Sequence, residues 1–361
     1  MKEKQIVIDD AVPYAQEIFS HLGRITCIPG REITKESVKN ADALIIRSRT
    51  QVNKDLLHDT NVQFVGSTVV GLDHVDQDFL KSQNIQFYSA QGCNANSVAE
   101  FVITVLFDLA EAFNFDLSSK TLGIIGVGNV GSRLYDKAEK LGIQCLLNDP
   151  PKLQKHPELS QQHNYVGLEE CVKADIITVH TPLTTEGEFP TKDLISAERL
   201  KTIRPDQIII NAARGGIINE EEWIKTGTLA DIIDCWENEP YINESLYSKA
   251  WIATPHIAGH SLDAKVAGSS MVYTELCNFW NIKEQNNWQT SLPQEPDTIK
   301  LGEVTQLQKT LKVLFDKTHN IFNDDQAIRD KNIETVHKKY EKYRRNFPIY
   351  REWHHPVSYT H

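Results

Sequence analysis

Apolar and polar positions along the chain change period many times, and the changes follow one rhythm. Short apolar runs suited to buried parallel strands occur at Gln5–Ile8, Arg24–Ile28, Ala43–Ile46, Gln63–Ser67 and Ile85–Tyr88. A helical stretch spans Pro13–Leu22, and Pro29-Gly30 marks a turn. The same alternation resumes at Leu122–Ile125, Ile143–Leu147, Asp175–His180, Gln207–Asn211 and Leu229–Cys235. A longer helix over Ser97–Phe113 joins the two series. Strands alternating with helices predict an α/β chain built from two doubly wound parallel sheets. Beyond Pro293 and Pro296 the pattern turns helical again, with Leu307, Leu311 and Leu314 at helical spacing.

The richest stretch is Thr121–Pro150. A buried strand runs into Gly126, Gly128 and Gly131 in G-x-G-x-x-G spacing, with Asn129 and Val130 opening the helix that follows. Gly126 would allow the tight turn, Gly128 the approach of backbone amides to a pyrophosphate, and Gly131 close packing of helix on sheet. The next strand delivers Asp149, an acid that suits the ribose diol of NAD and repels the 2′-phosphate of NADP. NAD is therefore the expected cofactor.

In open α/β sheets ligands gather beyond the carboxyl ends of the strands. Polar residues cluster at several such exits. Arg47, Ser48, Arg49 and Thr50 follow one strand, and the loop Gly66–Gly71, which contains Val69, follows another; both suit an anionic small molecule. Later exits carry His180-Thr181-Pro182, then Asn211–Gly216 with Arg214, then Asp234 and the Glu237–Pro240 turn, then Thr254–Gly259 with His256. An arginine, an acid and a histidine thus stand on three successive exits.

Composition narrows the functions. With 361 residues the chain has material for two or three domains, and a formal charge of -11 argues against a general nucleic-acid or anionic-membrane binder. The opening residues lack the pattern of a signal peptide, and the most apolar helical stretch is too short and too acidic for a membrane span, so a cytoplasmic location is expected. The six cysteines are scattered with no C-x-x-C and no histidine at metal spacing; they read as small buried hydrophobes, and no metal site is expected.

The ordered motifs GVGNVG, HTPL, INAARGG, DCWENEP and TPHIAG resemble those of the D-isomer-specific 2-hydroxyacid dehydrogenases. Four further stretches, VPYAQEIFSHLG, RSRTQVN, GCNANSVAEFV and the C-terminal KKYEKYRRNFPIYREW, resemble a branch whose substrate is a phosphorylated 2-hydroxy acid. The resemblance implies a flavodoxin-like substrate domain from residues 1–97 and 258–288, a Rossmann NAD domain from 98–257, and a small C-terminal α+β domain from 289–361 that makes a homodimer. It further implies that Arg214 binds the substrate carboxylate and the oxygen on C2, that Glu239 orients the histidine, and that His256 is the acid/base. Asp149, Thr181, Ala212, Asp234 and Gly259 would line the NAD site, and Ser48 the substrate pocket.

Three positions depart from that branch. Val69 stands where a hydroxyl residue is usual, His260 where a tyrosine is usual, and Arg49 where a small apolar residue is usual. Phosphate binding by Arg47, Arg49 and Lys265 would compensate for the lost hydroxyl contacts. The residues leave open another member of the family, acting on 3-phosphoglycerate or on glyoxylate and hydroxypyruvate, and a non-enzymatic NAD-sensing protein on the same fold.

Overall fold

In the computed structural model, residues 3–294, 299, 306–329 and 336–354 are described. The chain divides into two compact units, one from Met1–Asn94 with Ser261–Pro296 and one from Ala95–His260 with Asp297–His361.

The first unit holds a five-stranded parallel sheet in the order β2-β1-β3-β4-β5. Its strands are β1 (Gln5–Asp9), β2 (Arg24–Ile28), β3 (Ala43–Ile46), β4 (Phe64–Ser67) and β5 (Gln86–Ser89). This is the flavodoxin-like order. β3 and β4 are buried along their whole length, which is why their sequence reads as unbroken apolar runs. The long helix Leu262–Trp280 packs on this sheet through Val272, Tyr273, Leu276 and Cys277. It is not evident in the apolar pattern, because Gly268 and Ser269 interrupt its middle. Gly268 is there for close approach: a Cβ on it would lie 2.3 Å from the carbonyl oxygen of Thr68.

The second unit holds a six-stranded sheet in the order β11-β10-β9-β8-β6-β7, again all parallel. The strands are β6 (Thr121–Ile125), β7 (Gln144–Asn148), β8 (Ile176–Val179), β9 (Ile208–Asn211), β10 (Ala230–Ile233) and β11 (Ile252–Ala253). Beyond β7 the sheet continues only as a single bridge from Leu147 to Tyr165. The chain order reverses at β6, which lies between β7 and β8, so the exit of β6 is the switch point where a ligand is expected. The helix Ala95–Ala112 packs against this unit and is buried on nearly every face. Its acids do not mark a wet side: Asp108 is 3 % exposed and its carboxylate lies 3.1 Å from Lys312 Nζ.

The C-terminal segment, expected as a separate α+β domain, packs instead as part of the second unit. Among the described residues it forms the helices Leu307–Thr318, Ile321–Ile328 and Val336–Arg345 and no strand. Phe315, Ile321 and Phe347 join the core that contains β6, and Ile328, Val336 and Tyr340 join the core on the opposite face. Asp325 accepts the backbone N–H of Ala253 at 2.8 Å, covering a donor on the edge strand β11. Pro296 lies outside the described residues.

Candidate active site

The glycine turn after β6 has three different steric environments. Gly126 adopts φ +89° and an added Cβ would sit 2.8 Å from the backbone carbon of His180, so neither the dihedral nor the space admits a side chain. A Cβ on Gly131 would lie 2.0 Å from the carbonyl oxygen of Gly126, which brings the helix Asn129–Lys140 directly onto the strand exit. Gly128 has nothing within 4 Å of its Cβ direction. Two glycines therefore serve packing within the chain, while the middle one faces open space beside a helix N-terminus, the arrangement a pyrophosphate needs.

Asp149 stands at the end of β7 as expected. Its Oδ2 accepts the Val127 N–H at 2.8 Å and its Oδ1 the Lys152 N–H at 2.9 Å, so the carboxylate also fixes the glycine turn and caps the helix Pro150–Lys155. An ionised carboxylate offers about four acceptor positions, which leaves capacity for a diol. At the exit of β8 the Thr181 hydroxyl oxygen is buried without a hydrogen-bond partner, a polar atom that a bound cofactor would satisfy. Next to it His180 is fully buried, and burial pushes its imidazole down to about 3, so it stays neutral. Open space at Gly128, the orphaned Thr181 hydroxyl and the Asp149 carboxylate together fit a dinucleotide.

Three loops meet beyond β9, β10 and β11. Asn211 donates its side-chain amide to the carbonyls of Arg214 (2.9 Å) and Cys235 (3.2 Å), joining two exits. Gly215 seals them: an added Cβ would meet the Trp236 carbonyl at 2.1 Å and the Glu237 nitrogen at 2.2 Å. Arg214 begins this turn, its Nη1 donating to the Ala213 carbonyl at 2.7 Å, and Ala212 is buried behind it. Asp234, 1 % exposed, accepts from the Thr254 hydroxyl and the Ile257 N–H, each at 2.7 Å, and from the Ala258 N–H at 3.1 Å. Its carboxylate therefore holds the whole loop that carries His256 and leads to Gly259 and His260.

His256 sits on that loop with φ +55°, and its Nδ1 lies 2.9 Å from Glu239 Oε2. Glu239 Oε1 accepts the Trp236 N–H at 2.9 Å, so both carboxylate oxygens are used. Burial pushes the Glu239 carboxyl up, but the charge and hydrogen bond of His256, the Arg344 guanidinium and the Trp236 N–H outweigh it and bring it down to about 2. An ionised carboxylate can only accept. The Nδ1 therefore carries the proton, and Nε2 is left with the lone pair.

Sequence reasoning missed two groups here. Glu220, 5 % exposed, accepts the Glu237 N–H at 2.8 Å; burial above all, with the nearby Glu237 and Glu239 charges, raises its carboxyl to about 7. Its place in the acidic run Glu220–Glu222 gave no signal, since such a run reads as a solvated first turn. Arg344, from the C-terminal helix, acts on Glu239 from a hundred residues away in sequence, and no spacing rule reaches that far.

The substrate candidates divide between the units. Arg47, Ser48, Arg49, Val69 and Lys265 belong to the first. There Arg47 Nη1 donates to the Ala11 carbonyl at 3.1 Å, and the Ser67 and Ser89 hydroxyls fix the Val69 carbonyl at 3.2 and 3.0 Å. His260 belongs to the second unit, its ring edge-on to Phe347 with centroids 5.8 Å apart.

Comparison with known proteins agrees with this geometry. Residues 107–258 match the D-isomer specific 2-hydroxyacid dehydrogenase, NAD binding domain. The chain is 57 % identical over 350 residues to an erythronate-4-phosphate dehydrogenase of Hydrogenovibrio crunogenus, covering 97 % of this chain and 92 % of the relative. It is 50 % identical over 356 residues to one of Ruthia magnifica, covering 99 % and 98 %. Among solved structures it is similar to an NAD+-bound 3-phosphoglycerate dehydrogenase of Entamoeba histolytica, with TM-score 0.63, 26 % identity, and coverage of 79 % of this chain and 99 % of that one. It also shares the fold of an Aquifex aeolicus D-lactate dehydrogenase complexed with NAD and lactic acid, at TM-score 0.60, 20 % identity, and coverage of 76 % and 95 %.

Proposed function

Because the chain belongs to the D-isomer-specific 2-hydroxyacid dehydrogenase family, among its erythronate-4-phosphate dehydrogenases, we propose that it oxidises 4-phospho-D-erythronate to 2-oxo-3-hydroxy-4-phosphobutanoate with NAD. The observation that carries the reading is the His256–Glu239 pair at 2.9 Å, on a loop anchored by Asp234 and in the same unit as the dinucleotide fingerprint. The product would enter pyridoxal 5′-phosphate biosynthesis.

Oxidation of a 2-hydroxy acid removes a proton from the C2 hydroxyl as hydride leaves C2. NAD, when bound, accepts that hydride. His256 Nε2 takes the hydroxyl proton, and the Glu239 carboxylate stabilises the imidazolium that results. Arg214 grips the substrate carboxylate and places positive charge beside the C2 oxygen, whose charge changes along the reaction. Gly126, Gly128, Asn129, Val130 and Gly131 with Thr181, Ala212 and Gly259 line the cofactor site, and Asp149 accepts from the ribose diol. Asp234 serves that site chiefly by fixing the loop from Thr254 to Ala258.

Ser48 contacts the substrate, and Arg47 and Arg49 bind its phosphate, with Val69 and His260 replacing hydroxyl contacts. Among the described residues no helix is long and apolar enough to cross a membrane. We place the enzyme in the cytoplasm, acting on a small molecule and not on nucleic acid or membrane, as a homodimer formed through its C-terminal region. The test is NADH formation with 4-phospho-D-erythronate beside 3-phospho-D-glycerate and D-glycerate, in wild type and Arg49→Ala. Preference for phosphoerythronate, with a raised KM for it in the variant, is expected. Preference for another acid would overturn the substrate, and an unchanged KM would remove Arg49 from the phosphate site.

A further inference from the structure

We propose that Cys235, Glu239 and His256 form a binding site for a soft divalent cation, zinc above all, and that its occupation stops turnover by withdrawing His256 from the reaction. One ligand atom from each residue, a sulfur, a carboxylate oxygen and an imidazole nitrogen, lies within 4.8 Å of the other two. Among the described residues no other such group of three occurs. The sequence gives no hint of it, since the three positions span two strand exits and follow no ligand spacing.

The donor set decides the metal. Thiolate and imidazole with one carboxylate suit zinc, whereas magnesium and calcium prefer oxygen ligands alone. Three protein ligands and a fourth position open to solvent are also the composition of a zinc site that is not closed by protein. Tetrahedral bonds of about 2.0–2.1 Å to nitrogen and oxygen and about 2.3 Å to sulfur set ligand atoms roughly 3.3–3.6 Å apart. The His256 Nδ1 and Glu239 Oε2 atoms, now 2.9 Å apart, need to separate by a few tenths of an ångström. The sulfur needs to close by at most about one ångström, within what a χ1 adjustment supplies.

Access and orientation are both present. Cys235 is 1 % exposed, but the His256 and Glu239 side chains are 29 % and 20 % exposed, so a cation arrives from their side and meets the sulfur last. Asp234 Oδ2, 3.8 Å from Cys235 Sγ, accepts the thiol proton's hydrogen bond and orients the sulfur from behind. On binding, the sulfur–metal bond forms as the thiol proton leaves to solvent, with no change of oxidation state. A cation between Nδ1 and Oε2 replaces the proton that joins them. Glu239 then no longer orients the ring for proton transfer.

The inhibition rests on the acid/base reading of His256, but the binding does not, and the experiment separates them. The full-length protein, freed of metal with EDTA, is titrated with Co2+. A thiolate-to-cobalt charge-transfer band that saturates at one equivalent and is displaced by Zn2+ is expected. Zn2+ should inhibit NADH formation reversibly. In Cys235→Ser and Cys235→Val the band should vanish, and the Zn2+ concentration for half-inhibition, referred to each variant's own rate in EDTA, should rise at least about tenfold. Cys27→Ser should behave as wild type. A missing band, a band that survives in both Cys235 variants, or equal Zn2+ sensitivity of wild type and variants would overturn the site. A Cys235-dependent band in a protein without turnover would leave the site standing and overturn the enzymatic reading.

Discussion

Gly128 and Gly131 lie three residues apart in one turn, yet replacing each with alanine should give different defects. At Gly131 the new Cβ starts 2.0 Å from the Gly126 carbonyl oxygen, and ordinary contact begins at 3.4 Å, so the helix Asn129–Lys140 must retreat by 1.4 Å. Gly126 cannot yield, because its φ of +89° and its contact with His180 fix it. Overpacking of this kind costs about 1–3 kcal/mol. For a unit of this size that lowers Tm by roughly 3–10 °C. NAD affinity falls too, since the helix N-terminus carries its amides away from the phosphates. At Gly128 the new methyl meets nothing within 4 Å, so the unliganded protein should keep its stability to within about 0.5 kcal/mol. The methyl nevertheless occupies the space of the pyrophosphate and should weaken NAD at least about tenfold, or 1.4 kcal/mol. Thermal unfolding without NAD and calorimetric titration with NAD read the two effects separately. Wild-type NAD affinity in Gly128→Ala, or equal loss of Tm in both variants, would refute the division of roles.

Other predictions use the charges. Holding the Glu239 carboxyl at about 2 against a usual 4.5 corresponds to about 3 kcal/mol in favour of its ionised form, so Glu239→Gln should lower kcat about a hundredfold with KM little changed; steady-state kinetics checks both. Asp234→Asn turns an amide toward the N–H groups of Ile257 and Ala258 and should cost about 3 kcal/mol or more, seen as a lower midpoint in urea. Glu100 is 5 % exposed; burial, opposed by Lys137, raises its carboxyl from 4.5 to about 7. The folded state thus keeps a proton that the unfolded state releases, and stability falls as pH rises from 4.5 to about 7, by at most about 3 kcal/mol. Glu100→Gln should flatten that part of the stability profile, and an unchanged slope between pH 5 and 8 would show that another group sets it.

Much of this molecule was legible because its strands are buried and short. β3, β4, β8 and β9 are four-residue apolar runs, and each exits into polar residues that cannot be core. The glycine turn was legible because steric need at Gly126 and Gly131 leaves little choice of residue. The helix Leu262–Trp280 was not, because Gly268 and Ser269 look like breakers until the Thr68 carbonyl is seen against them. The C-terminal segment misled for a related reason. Phe315, stacked on Trp353 with centroids 4.1 Å apart and edge-on to Phe107 at 4.9 Å, belongs to the core of the second unit, and local pattern cannot say which core a helix joins. The roles of Asp149 and Asp234 were read as cofactor contacts alone, whereas their hydrogen bonds to Val127 and to the loop from Thr254 to Ala258 also shape the site.

The central claim is that His256 moves the proton as hydride leaves C2. The most direct test is the turnover of His256→Ala with 4-phospho-D-erythronate and NAD, alongside its affinity for NAD. A kcat reduced roughly a thousandfold with NAD affinity unchanged is predicted. A kcat within tenfold of wild type would contradict the account.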